Sequence, residues 1–73
     1  MIGERIRQLR MEKRMTLSAL AKRSGVSKSY LSNIERGIQK NPSLIVLKKI
    51  SGTMEVSLEQ LLAWKHEDGH KES

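Results

Sequence analysis

The chain has 73 residues, enough for one small domain and too few for a deep substrate pocket. It has no cysteine, which excludes disulfides and thiolate metal sites. Fourteen Lys and Arg against eight Asp and Glu give +6, a balance that points to a polyanionic partner such as nucleic acid, with membranes and acidic proteins as rivals.

The charge is unevenly spread. Residues 1–65 carry 13 basic and 5 acidic side chains, whereas the stretch 66–73 sets Lys71 against Glu67, Asp68 and Glu72. One Tyr, one Trp and no Phe leave too few stacking platforms for reading RNA or single strands, so duplex DNA is favoured. No run approaches the ~18 apolar residues of a membrane span. Met1-Ile2-Gly3-Glu4-Arg5 lacks the apolar core of a secretory leader. A cytoplasmic protein with no membrane partner is expected.

Apolar spacing predicts five helices and no strand, an all-α domain over residues 1–65 with a polar tail over 66–73. Ile2, Ile6 and Leu9 share one face of a first helix over 2–13, with Met15 packing just after it. Thr16 caps a second helix with Leu17, Leu20 and Ala21 inward. It closes near Ser24-Gly25, where glycine suits a left-handed turn. Val26 plugs the core, Ser27 caps a third helix burying Leu31 and Ile34, and Gly37 stops it. After a loop from Ile38 to Pro42, Ser43 caps a fourth helix with Leu44, Leu47 and Ile50 inward. Gly52 weakens its end, and Met54 and Val56 close over the core. Ser57 and Gln60 have capping-box spacing for a fifth helix carrying Leu58, Leu61, Leu62 and Trp64.

The stretch from Thr16 to Gly37 reads as short helix, glycine turn, short helix, with a small residue, Ala21, where the two cross. With Val26, Leu31 and Ile34 turned inward, Lys28, Ser29, Ser32, Asn33 and Arg36 face out. These types suit the major groove: Lys donates to guanine, Asn pairs with adenine, and Ser serves either. A recognition helix reads bases through its N-terminal residues, which makes Lys28, Ser29 and Asn33 the expected base readers. Ser18 and Ser27 at helix starts, with Tyr30, Ser32, Arg36, Lys40 and Asn41, are the expected phosphate contacts. The bland alternative is a helical hairpin with a solvated polar face.

This run resembles the Xre, or phage-repressor-like, helix-turn-helix family, and the likeness extends over nearly the whole chain. Within it the chain looks most similar to the SinR-type biofilm and sporulation regulators. The residues that carry this likeness are Met1-Ile2-Gly3, Gly25-Val26, Lys28-Ser29-Tyr30-Leu31-Ser32, Ile34-Glu35-Arg36, Asn41-Pro42-Ser43, Val56-Ser57, Leu61-Leu62 and Lys65-His66-Glu67. The resemblance implies a five-helix DNA-binding domain, usually repressing transcription, with helix three in the major groove. It also implies an internal ion pair between Arg10 and Glu35.

The chain departs from the family at Leu17, where many members place a Gln that holds the DNA backbone; Ser18 is a candidate replacement. SinR-type proteins also carry C-terminal helices that multimerise and bind an antagonist protein. Such a partner is expected only of a longer form. An antitoxin-like protein-interaction module is the rival use of the same fold.

Two features stay open. Leu58, Leu61 and Trp64 either close the small core or pair with a second copy, as two-fold operators require. His66-Glu67-Asp68-Gly69-His70 matches the zinc-protease pattern, but Gly69 weakens any helix there and no third His exists. It reads as a solvated tail, and no enzyme activity, metal or cofactor is expected.

Overall fold

The computed structural model describes residues 1–63. They form α1 (Ile2–Glu12), α2 (Leu17–Ser24), α3 (Lys28–Glu35), α4 (Leu44–Met54) and α5 (Leu58–Leu61), with no strand among the described residues. Trp64, the domain boundary at Lys65 and the His66–His70 motif lie outside them.

Four helices start on a hydroxyl cap. Thr16, Ser27, Ser43 and Ser57 each sit in extended backbone and accept a hydrogen bond from the amide three residues on, which satisfies one orphan donor per helix. The reciprocal half of the capping box is present in α5, where the Ser57 amide donates to Gln60 Oε1 at 2.9 Å. Two guanidinium donors of Arg5, Nε and Nη2, hold the Gln60 carbonyl at 3.1 and 2.9 Å, tying α5 to α1 across the sequence.

The core gathers one stripe from each helix and the turn: Ile2, Ile6 and Leu9, Leu20, Val26, Leu31 and Ile34, Ile50 and Met54, and Leu61. α2 packs on α3 and α4, α1 packs on α3, and α5 closes against α4 and α1. α3 is thereby held on its inner face by its neighbours' side chains, with Lys28, Ser29 and Arg36 exposed on the other among the described residues.

One expectation for α4 needs correcting. Leu44 is not inward; it is 54% exposed, beside Ile45 at 67%. Steps of three residues drift round a helix by about 60° each, so counting back from Ile50 by threes leaves the core face. The buried stripe instead runs through Leu47, Ile50, Ser51 and Met54, the i, i+3, i+4, i+7 pattern. Gly52 lies two residues before the end of the helix. The helix continues to Met54, anchored by its burial, and closes on Glu55 in left-handed backbone at φ 59°.

Gly52 is exposed, in ordinary helical backbone, and beyond its own helical turn no atom of the described residues lies within 4 Å of the place an added Cβ would take. Gly52→Ala is therefore expected to raise stability by about 0.5–1 kcal/mol through reduced unfolded-state freedom. Urea midpoints at constant m-value would check this; an unchanged or lowered midpoint would contradict it.

Candidate nucleic-acid interface

The turn between α2 and α3 is fixed by local chemistry. Gly25 lies at φ 77°, its amide donating to the Ala21 carbonyl, a conformation that a side chain would strain. Ser24 is buried, and its hydroxyl accepts from the Val26 amide at 3.2 Å, while Val26 drops into the core. The sequence reading missed Ser24, since a serine at a helix end has no pattern that separates a turn-pinning hydroxyl from a solvated one.

Five side chains of the α3 segment, Lys28, Ser29, Ser32, Asn33 and Arg36, line one open concavity with Leu17 from the start of α2. Lys28, Ser29 and Arg36 are exposed; Ser32 and Asn33 are half-buried at its floor. Among the described residues the lining carries an ammonium, two hydroxyls, an amide and a guanidinium, and no carboxylate. It is a surface of hydrogen-bond donors with net positive charge, shaped around a rigid helix.

The remaining expected contacts do not line this concavity. Ser18 is exposed in the first turn of α2, next to amides without intrahelical partners. Ser27 spends a lone pair capping the Tyr30 amide at 3.1 Å and keeps its proton for an outside acceptor. Lys40 and Asn41 are exposed in the loop before α4. Tyr30 is half-buried against the core, and its hydroxyl accepts from Gln39 Nε2 at 3.4 Å. That leaves the phenol one proton to donate.

Behind the recognition surface, Arg10 Nε and Nη2 hold Glu35 Oε2 and Oε1 at 2.8 and 2.9 Å. Arg10 Nη1 also donates to the Met15 carbonyl at 2.9 Å. Both side chains are largely buried, 14% and 8% exposed. The hydrogen-bonded carboxylate raises the Arg10 pKa further above its ordinary value, against the opposing effect of burial. This fork ties the end of α1 and the loop after it to the end of α3.

Of the three residues open to a dimer reading, Leu61 is fully buried in its own core and is closed to a second copy. Leu58 is half-buried against the same core, and Trp64 lies outside the described residues. Among the described residues no helix is long and apolar enough to cross a membrane.

Comparison with known proteins places this geometry in a lineage. A helix-turn-helix family model matches residues 6–61. The transcriptional regulator SinR of Bacillus subtilis is 53% identical over the whole chain, which spans 68% of its length. A crystal structure of SinR, the master regulator for biofilm formation, in complex with DNA superposes at TM-score 0.82 with 55% identity, over 85% of this chain and 98% of that one. A SinR–SinI complex superposes at 0.85 with 54% identity, over 93% of this chain and 66% of that one. The chain belongs to the phage-repressor-like helix-turn-helix family.

Proposed function

We propose that this chain is a sequence-specific duplex-DNA-binding transcriptional regulator, acting as a repressor, that lays α3 in the major groove. The observation that carries the reading is the donor-lined concavity on a helix whose opposite face is locked into the core. Lys28, Ser29 and Asn33 are assigned to base edges. Ser18, Ser27, Ser32, Arg36, Lys40 and Asn41 are assigned to phosphates, with Tyr30 contributing through its remaining proton. The likeness to the transcriptional regulator SinR, solved in complex with DNA, supports the reading as a DNA-binding regulator. Binding to the chromosome puts the protein in the cytoplasm.

A two-fold symmetric operator would call for two copies on one site. The SinR–SinI complex supports a protein partner for forms of this regulator that carry further helices.

The test is in-vitro selection of duplexes, followed by binding measured on the selected site and on random DNA. Lys28→Ala is expected to cost about 1–3 kcal/mol on the selected site and to relax one base position. Lys40→Ala is expected to weaken every duplex alike and to flatten the salt dependence by about one unit. Equal losses on both DNAs for Lys28→Ala would remove its base-reading role. Failure to shift any duplex at low salt would overturn the function and favour a protein-interaction module.

A further inference from the structure

Among the described residues, the concavity that carries the proposed DNA contact has one apolar member. Lys28, Ser29, Ser32, Asn33 and Arg36 offer only hydrogen-bonding or charged ends, whereas Leu17 presents a branched hydrocarbon beside them. Leu17 is half-buried: one side packs on the core, and the other faces the open concavity. It stands as the first residue of α2, directly after the cap Thr16, whose hydroxyl is spent on the Ala19 amide at 3.0 Å. Its position is thus set by the same cap and the same core that fix the two helices.

In the major groove, hydrogen-bond donors serve guanine and adenine well through N7 and O6. Thymine is marked by its C5-methyl group, which is recognised by apolar contact. Building on the DNA-binding reading above, the geometry points to Leu17 as a specificity-determining residue that covers a thymine methyl at the edge of the bases read by α3. The contact replaces a water-exposed methyl and a half-exposed leucine with a buried apolar pair. Its worth is that of about one buried methyl group, a factor of about four in affinity.

The test uses the duplex selected on the unaltered chain, with each thymine replaced singly by deoxyuridine, which removes only the methyl. At one thymine per half-site, the unaltered chain is expected to bind about fourfold more weakly after replacement. Leu17→Ala is expected to bind the thymine and deoxyuridine duplexes equally while still melting cooperatively. Should the truncation unfold the chain, Leu17→Gln, close in volume, is expected to show the same loss of methyl discrimination. No methyl-sensitive thymine, or a sensitivity that survives in a folded Leu17 variant, would overturn the inference and leave DNA binding standing. Failure to select any duplex would overturn both.

Discussion

Gly3→Ala is expected to leave the chain largely unfolded at room temperature, or to lower its melting temperature by about 15–30 °C. Gly3 is buried in the first turn of α1, where that helix crosses the end of α3. A methyl there would fall inside the Ile34 carbonyl oxygen, 2.9 Å from the Ile34 carbonyl carbon and 3.0 Å from Glu35 Cα. All three are backbone atoms, so no side chain can swing aside. Relief requires α1 and α3 to separate, which uncouples Ile2, Ile6 and Leu9 from Leu31 and Ile34. A loss of about 3–5 kcal/mol is comparable to the whole stability of a domain this small. Circular dichroism melts would check it. A melt within about 1 kcal/mol of the parent would show that the crossing is softer than its geometry.

The contrast with Gly52 explains how much of the fold was legible beforehand. Helix starts were readable because the caps are local: a hydroxyl reaches an amide three residues away, and Thr16, Ser27, Ser43 and Ser57 all do so. Gly25 was readable because a left-handed turn is also local. Gly3 and Gly52 look alike in sequence, yet one is clamped by the distant backbone of Ile34 and Glu35 and the other faces open space. The Arg5 clamp on the Gln60 carbonyl, 55 positions distant, is equally invisible to periodicity.

At the recognition surface, helical period alone turned Lys28, Ser29, Ser32, Asn33 and Arg36 outward, because Leu31 and Ile34 fix the phase of α3. What period could not supply was the partition of half-exposed residues. Tyr30 is tied to Gln39 from the following loop, and Leu17 joins the concavity from another helix. Both depend on how α2, α3 and the loop dock, which is a tertiary result. Leu44 differs for a local reason: steps of three back from Ile50 drift off the core face, so its exposure follows from the helical period itself.

The Arg10–Glu35 fork carries the second large effect. Arg10→Ala leaves a carboxylate that is 8% exposed without its partner and strips the Met15 carbonyl of its donor. Glu35→Ala leaves the guanidinium with that carbonyl alone. Each single change is expected to cost about 3 kcal/mol, because an unpaired buried charge is far costlier than a missing surface pair. The double change Arg10→Met with Glu35→Leu removes both charges, refills the volume and is expected to recover most of that loss. Denaturant midpoints for the parent, the two alanine variants and the Arg10→Ala/Glu35→Ala double variant form a cycle whose coupling isolates the pair. Single costs below about 1 kcal/mol would mean that water screens the fork as it does an exposed pair. DNA binding gives an independent reading of the same brace. Glu35 lies between Asn33 and Arg36, so freeing it loosens the end of α3 that carries both. The apolar double variant, folded but lacking the directional fork, is therefore expected to bind its selected site more weakly than the parent while retaining nonspecific affinity.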